Sequence, residues 1–392
     1  MFFSITSTQQ TNFSHFYQLG PFVVSTDAGW QQVNTDRYSC IYKGYTDRLR
    51  LTDLLEQIVK QNEPEQSGNF CVIVYDNQQR HLQIKSDRWR GFPLYFEDGI
   101  VTNLVPRANT AWADSLLTVQ DDWTIVEDKF DVIGELDDTP VTLDALVAFV
   151  DQRLTEKTQN LVKYHTAPIR AFLSGGVDTA LVYSYLQKCT QDFELVKYNI
   201  LEYDRFWLQN SGDITDHHWG YTQIHHWTSP SVLTSGAPGD EFMLRSPGYA
   251  DQYLKYYGVE IVDLLEQRQC LHTSYFSRAK HLKLFKEQSV DRTMTKQQLQ
   301  WNLCNNAVND WQHWHIGHTL TWTPLRDLDI YKMFLRLSPA DAVGQVMDSS
   351  VSIGLLEKNC PGLSQTMSYQ KNTGNCRSNL ADYLLGPASS VA

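Results

Sequence analysis

The chain has few cysteines, no long apolar run and no cluster of basic residues. Its seven cysteines are odd in number, widely spaced and without a Cys-x-x-Cys pair, which argues against a disulfide framework or a zinc site and favours a reducing compartment. No stretch approaches the roughly 18 consecutive apolar residues of a membrane-spanning helix. The segment 1–6 lacks the basic and apolar regions of a signal peptide, so we expect a cytoplasmic protein without a membrane partner.

The charge balance is acidic. There are 33 Lys and Arg residues against 45 Asp and Glu residues, a formal net charge of -12, and the basic residues are scattered. Nucleic-acid binding needs clustered Lys and Arg to neutralise phosphates, so we expect no nucleic-acid partner. A phosphate ligand stays compatible with this charge, because a few backbone N–H groups can bind one locally.

A length of 392 residues suits two domains. The first third is β-rich, with predicted strands at 70–75 and 81–85, and leucine spacing predicts a helix over 48–60. The acidic, proline-containing stretch 134–140 is the predicted linker, which divides the chain into domains 1–138 and 139–392. After it comes an amphipathic helix with Thr142 as predicted N-cap. Strands and helices then alternate, which is typical of an α/β domain with a mostly parallel sheet.

A glycine turn between a strand and a helix is the strongest chemical signal. The apolar strand 169–173 runs into Ser-Gly-Gly-Val-Asp-Thr at 174–179, and an apolar helix follows over 180–186. Glycines let the backbone approach a phosphate, and the N–H groups and dipole of a helix N-terminus favour an anion. Asp178 would repel phosphate directly, so it makes sense mainly as a magnesium ligand. The simpler alternative is a turn that only joins the two elements.

This loop resembles the SGGxDS loop of the PP-loop ATP pyrophosphatases. Three further segments, in the same order and at similar spacing, resemble the asparagine synthetase and β-lactam synthetase group. They are the Gly-rich turn ending in Asp-Glu at 233–241, the Thr-Pro-Leu-Arg-Asp element at 323–327, and the Tyr-Gln-Lys-Asn-Thr-Gly segment at 369–374. The first domain is similar, more loosely, to a class II glutamine amidotransferase domain, through 68–76 and 87–95.

The resemblance implies a fold and a set of site residues. The expected fold is an N-terminal αββα-type sandwich of the N-terminal-nucleophile (Ntn) kind, followed by a PP-loop domain of the adenine nucleotide α hydrolase type with a parallel sheet and added helices. Lys371 would be catalytic, neutralising charge on the α-phosphate and acyl oxygen. Asp178 and Asp240 would hold Mg²⁺. The ATP-binding residues would be Leu173, Ser174, Gly175, Gly176, Asp178, Thr179, Tyr198 and Gly236.

Two departures from the family pattern limit what can be transferred. A glutaminase of this class needs a cysteine at position 2 as nucleophile, but positions 2 and 3 are phenylalanines and the first cysteine is Cys40, so we expect no glutamine hydrolysis. Ala237 replaces the Glu or catalytic Tyr of the family, and Pro238 stiffens the same turn. Tyr249, His217 and His218 are open alternatives for the missing base.

The implied function is an ATP-dependent, AMP- and pyrophosphate-forming amide ligase that adenylates a small-molecule or peptide carboxylate and transfers it to an amine. Intermolecular synthetase and intramolecular cyclase both stay open, as does a homodimer. One alternative is a PP-loop enzyme that modifies a nucleobase or nucleotide, and another is an inactive scaffold of the same fold. The histidines at 217–218, 225–226 and 313–318 have no accompanying ligand set at a recognised spacing, so polar surface or pocket lining is the preferred interpretation.

Overall fold

The computed structural model describes most of the first 200 residues and several shorter stretches after residue 228. The described residues are 3–10, 13–47, 68–88, 92, 94–103, 108–112, 114–130, 137, 139–173, 176–197, 229–236, 239–244, 318–338, 341, 345 and 349–366.

The first region is built from two antiparallel sheets of six described strands each. Their orders are β10-β8-β9-β1-β3-β2 and β12-β11-β7-β6-β5-β4. The strands are β1 (Phe3–Thr6), β2 (His15–Leu19), β3 (Phe22–Thr26), β4 (Gln31–Asn34), β5 (Tyr38–Thr46), β6 (Gly68–Asp76), β7 (His81–Ser86), β8 (Tyr95–Glu97), β9 (Ile100–Thr102), β10 (Asn109–Thr110), β11 (Ser115–Gln120) and β12 (Ile125–Lys129).

The two sheets share one apolar core. Ile5 of β1, Val24 of β3, Ile73 of β6 and Leu117 of β11 are all fully buried members of the same cluster. Every residue of β6 is buried, so both faces of the second sheet are covered at this strand. Side chains that alternate along each strand therefore fill the space between two facing layers.

The second region contains helices around a parallel sheet, so the chain is a mixed α/β protein. Its four described strands are ordered β14-β13-β15-β16, and all three pairings are parallel. The elements are α1 (Leu143–Tyr164), β13 (Ile169–Leu173), α2 (Val177–Cys189), β14 (Glu194–Lys197), β15 (Ser231–Thr234), α3 (Gly239–Phe242), β16 (Thr319–Trp322), α4 (Leu328–Phe334), α5 (Ser350–Asn359) and α6 (Pro361–Thr366). No helix in this described part is long and apolar enough to cross a membrane.

Several local predictions are confirmed. Helix α1 begins after Thr142, whose hydroxyl accepts a hydrogen bond from the Ala145 N–H at 3.3 Å, and its predicted apolar face is buried at Leu146, Val150 and Leu154. The strand at 169–173 has the predicted bounds. The strands predicted at 70–75 and 81–85 are each present and slightly longer. The predicted helix at 48–60 lies outside the described residues, and the domain boundary at 138 stays a prediction.

Candidate functional site

The order in which strands are added to the parallel sheet reverses next to β13. From β13 the chain goes to β14 on one side, and then returns to β15 on the other side. Loops that leave the carboxyl ends of two such strands run in opposite directions and open a crevice between them, which is where α/β sheets bind ligands. The segment that follows β13 and the segment that follows β15 are the first two predicted phosphate motifs.

The first motif leads into the N-terminus of α2. Gly176 is the N-cap of this helix in an extended conformation, and its carbonyl accepts the first helical hydrogen bond, from the Ala180 N–H at 3.1 Å. Asp178 lies half-buried in the first turn, and Thr179 is buried beside it. Gly176 has no side chain to cap the helix, so the donors of its first turn are oriented toward whatever lies before it.

The second motif is pressed against the first. A Cβ placed on Gly236, just after β15, would lie 2.7 Å from the Cβ of Asp178, and one placed on Gly239 would lie 2.5 Å from Asp178 Oδ1. At Gly236 the added atom would also overlap the backbone of Asp178 and Thr179, so only glycine fits there, whereas at Gly239 it would force the Asp178 carboxylate to move. The N–H of Gly239 donates to the carbonyl of Gly236 at 3.0 Å, which closes the turn around the aspartate. Asp178 and Thr179 of the first motif and Gly236 of the second motif are therefore neighbours.

The third motif follows β16 at the same edge of the sheet. The Ser235 N–H donates to the Trp322 carbonyl at 2.9 Å, so the ends of β15 and β16 are held together. Thr323, the first residue after β16, is hydrogen-bonded to Tyr45 of the first region. The Tyr45 hydroxyl accepts from the Thr323 N–H at 2.9 Å and lies 3.2 Å from the Thr323 hydroxyl. Burial raises the pKa of this tyrosine above its ordinary value, which keeps the hydroxyl protonated at neutral pH.

Asp327 ends the third motif as a fully buried carboxylate. Burial alone would raise its pKa, but Lys157 at 3.0 Å and Arg153 at 2.9 Å outweigh burial and lower the pKa to about 2. The other carboxylate oxygen accepts from the N–H groups of Asp329 and Ile330 and caps α4. The sequence resemblance includes this aspartate in the third motif, and in the structure both of its oxygens hold neighbouring elements together.

The two regions are joined by buried charges beside this motif. Arg326 donates to Asp87 at 3.1 Å, with 3% and 0% of the two side chains exposed. Lys157 lies 3.0 Å from Asp47 as well as from Asp327. No spacing rule could have paired Asp87 with Arg326, because 239 residues separate them. These contacts are the features of the site that sequence reasoning missed.

Other predicted residues lie outside the described part of the chain. These are Ser174, Gly175, Tyr198, Ala237, Pro238, the alternative bases Tyr249, His217 and His218, and Lys371. The backbones of Leu173 and Asp240 are described, at the end of β13 and in α3, whereas their side chains are not. Among the described residues, no three His, Cys, Asp or Glu side chains are grouped to hold a metal ion.

A groove between α1 and α4 has a volume of about 320 Å³. Phe149 and Met333 supply apolar surface, and Arg153, Asp329 and Lys332 supply charge. None of its lining residues is a predicted site residue. It therefore adds nothing to the chemistry expected at the carboxyl edge of the sheet.

Comparison with known proteins gave structural likeness only. No protein-family profile matches the chain, and no curated protein is similar to it in sequence. Among solved structures, glutamine phosphoribosylpyrophosphate amidotransferase from B. subtilis, complexed with ADP and GMP, aligns over 64% of this chain and 71% of its own, with 7% identity and a TM-score of 0.24. A structure titled as the allosteric regulatory enzyme of purine biosynthesis aligns over 62% and 71%, with 7% identity and a TM-score of 0.23. At these values neither likeness informs function, and the proposal below depends on the geometry of this chain.

Proposed function

We propose that the protein is an ATP-dependent amide ligase that forms AMP and pyrophosphate. One observation carries the proposal: Gly236 and Gly239, which follow β15, pack directly against Asp178, which follows β13. The sequence resemblance, which does not depend on their proximity, assigns both segments to the phosphate side of one nucleotide. Their meeting at the carboxyl edge of a parallel sheet, where the strand order reverses, supports a shared anion site.

The residues present fit a magnesium–nucleotide complex. Two glycines give the backbone close approach at a half-buried carboxylate, and a helix N-terminus faces the same turn. Asp178, with Asp240 from α3, would hold the ion. Mg²⁺ when bound supplies neutralisation of charge on the pyrophosphate. The N–H groups of the α2 turn and the Ser174 hydroxyl would hold the phosphate oxygens, and Leu173, Tyr198 and Gly236 would line the adenosine.

In the first proposed step, a substrate carboxylate oxygen attacks the α-phosphorus of ATP. A new O–P bond forms, the bond to the bridging oxygen breaks, and pyrophosphate leaves with the electron pair. An anion approaches a polyanion here, so charge neutralisation is the main requirement. Lys371 would supply a fixed positive charge at the α-phosphate and the acyl oxygen.

In the second proposed step, an amine attacks the acyl carbon and AMP leaves, while a base accepts the amine proton. The amine would come from ammonia, a second substrate or the activated substrate itself. Glutamine is not proposed as the source, because the sequence has Phe2 where the class it resembles has its nucleophilic cysteine. The first domain would then serve a structural role.

The alternatives of nucleobase modification and of an inactive scaffold keep the same nucleotide geometry. A base-modifying enzyme would release pyrophosphate or AMP only with a nucleoside substrate. A scaffold would bind nucleotide without turnover. The net charge of -12 disfavours a nucleic-acid substrate.

The test measures pyrophosphate and AMP released from Mg-ATP across a panel of carboxylates, each with and without an amine. We expect carboxylate-dependent release that falls by roughly 10²-fold or more in both variants, because Asp178→Ala removes a proposed ligand of the Mg²⁺ that neutralises the pyrophosphate and Lys371→Ala removes a positive charge at the α-phosphate. Asp144→Ala is the matched control, since Asp144 is also an acid in the first turn of a helix but is exposed on α1. Its turnover should equal that of the wild type.

Each alternative outcome has a separate meaning. Release that requires a nucleoside and ignores carboxylates would establish the base-modifying alternative. Nucleotide binding without release under every condition would favour the scaffold. Activity that survives Asp178→Ala unchanged would remove this aspartate, and with it the proposed site, from the mechanism.

A further inference from the structure

A single buried glutamine side chain bridges two segments of the second region. Gln345 is fully buried, and its amide nitrogen donates to the Met243 carbonyl at 2.9 Å. Its amide oxygen accepts from the Val351 N–H at 2.9 Å and from the Ser350 hydroxyl at 3.3 Å. The side chain therefore ties the end of the segment after β15 to the first turn of α5. It uses both its donor and its acceptor to do so.

The Met243 end of this bridge leads directly to Asp178. The Met243 N–H donates to the Gly239 carbonyl at 3.0 Å, and Gly239 is the glycine packed on the Asp178 carboxylate. Helix α3, which begins at Gly239 and ends just before Met243, has only four residues. A helix of this length has no stability of its own, because too few hydrogen bonds offset the cost of its nucleation. Its position therefore depends on outside contacts such as the bond from Gln345.

The backbone at both ends of the bridge is in an unfavourable conformation. Leu244, the residue after Met243, has φ +49°, and Ser349, whose N–H donates to the Gln345 carbonyl at 2.9 Å, has φ +48°. Both residues are fully buried. Side chains larger than glycine are sterically disfavoured in the left-handed region, so surrounding contacts must hold these two residues there. Such local conformations persist when neighbouring interactions determine them.

We infer that Gln345 is a positioning residue that holds the Gly236–Gly239 turn against Asp178 and so sets the phosphate side of the site, an inference that rests on the proposed function. Gln345 has no direct role toward the nucleotide. It acts through Met243 and Gly239. Without the hydrogen bond from the Gln345 amide to the Met243 carbonyl, α3 would shift away from α2, and Gly236 and Gly239 would no longer pack closely against Asp178.

Two substitutions separate the roles of the amide. Gln345→Glu keeps an oxygen that accepts from the Val351 N–H, but its carboxylate cannot donate to the Met243 carbonyl. Gln345→Met has nearly the same volume and removes both donor and acceptor. Leu355→Ala is the control for general destabilisation. Leu355 is fully buried on the same helix α5, but it is not one of the residues that the Gln345 bridge connects.

The experiment measures the dissociation constants of Mg-ATP and of AMP by calorimetry, at a temperature where circular dichroism shows each variant folded. We expect both Gln345 variants to weaken Mg-ATP binding roughly tenfold, since the loss of one buried hydrogen bond that positions the site can account for a change of this size. AMP, which lacks the pyrophosphate, should bind within about twofold of the wild type. In turnover assays, the KM for Mg-ATP should rise more than kcat falls.

The outcomes are distinguishable. Wild-type-like Mg-ATP binding in both Gln345 variants overturns the positioning role while leaving the proposed function intact. Equal weakening in Leu355→Ala also overturns it, because the effect is then one of general stability. If Gln345→Glu does not fold, the Mg-ATP and AMP dissociation constants of Gln345→Met are compared with those of the wild type instead. Failure of the wild type itself to bind Mg-ATP refutes the proposed function, and the inference falls with it.

Discussion

At the scale of single residues, two glycines and one aspartate define the candidate site. Gly236 and Gly239 are buried where any Cβ would overlap Asp178. A glycine in a motif can serve a turn, a positive φ or a close approach. Here the reason is close approach, since neither residue has a positive φ.

Gly236→Ala and Gly239→Ala should each disrupt this packing. The added methyl would force Asp178 or the turn to move, which typically costs about 1–3 kcal/mol of unfolding free energy. We expect Mg-ATP affinity to fall along with stability. Gly354→Ala is the matched control, because Gly354 lies in α5 with open space around its Cα, and alanine there should stabilise the helix by about 0.5–1 kcal/mol. Denaturant titration would measure the free energy of unfolding, and calorimetry would measure the affinity for Mg-ATP. Unchanged Mg-ATP binding in Gly236→Ala would contradict the close approach of Gly236 to Asp178.

At the scale of elements, Asp327 joins two helices. One oxygen caps α4 through the N–H groups of Asp329 and Ile330, at 2.9 and 3.1 Å. The other accepts from Arg153 and Lys157 of α1. A single buried carboxylate thereby sets the position of α4 against α1, directly after the third motif. Its lowered pKa is the thermodynamic measure of that double role.

Asp327→Asn should remove the charge while keeping a capping oxygen. The wild-type pKa falls from 3.8 to about 2, which corresponds to roughly 2–3 kcal/mol of stability at pH 7 at about 1.4 kcal/mol per unit. Because the folded-state pKa is lowered, this contribution is complete above about pH 4 and is lost as the pH falls toward 2. The stability difference between wild type and variant should therefore be largest at neutral pH and shrink over that window.

Denaturant midpoints at pH 7, 4 and 3 would measure the difference. Asp144→Asn, which changes an exposed acid in the first turn of α1, should give a much smaller difference. A gap between wild type and Asp327→Asn that stays constant from pH 4 to 3 would refute the role of the charge.

At the scale of the whole molecule, the two regions share buried polar contacts. Tyr45, from the last half of β5, belongs to the apolar core of the second region, and Asp87 accepts from Arg326. Through the Asp87–Arg326 ion pair and the Tyr45–Thr323 hydrogen bond, the first region supports the segment that follows β16.

Arg326→Met should destabilise the protein by roughly 3–5 kcal/mol, because it removes one partner of a buried ion pair with Asp87. The double variant with Asp87→Asn should lose less than the sum of the two single losses. Arg80→Met is the control of the same chemistry, since the Arg80–Asp121 pair is exposed and should contribute little. Calorimetry should show one unfolding transition for the wild type. Two well-separated transitions, with only one moved by Arg326→Met, would show that the pair does not couple the regions.

The sequence by itself determined the local elements. Apolar runs predicted the strands at 70–75 and 169–173, and alternation of polar and apolar residues predicted the strand at 81–85. The hydroxyl of Thr142 marked the start of α1. These signals depend only on neighbours along the chain. The order of the motifs likewise predicted which segments belong to one site. The fold class followed from the alternation of strands and helices after residue 140.

Only the tertiary structure decided which of these elements meet. The strand order brings the end of β15 beside that of β13, so Gly239 contacts Asp178 across more than fifty positions of sequence. The Asp87–Arg326 pair and the bridge from Gln345 to Met243 join residues 239 and 102 positions apart. No periodicity carries such information, because a buried hydrogen bond or ion pair is selected by the space and charge around it and not by distance along the chain.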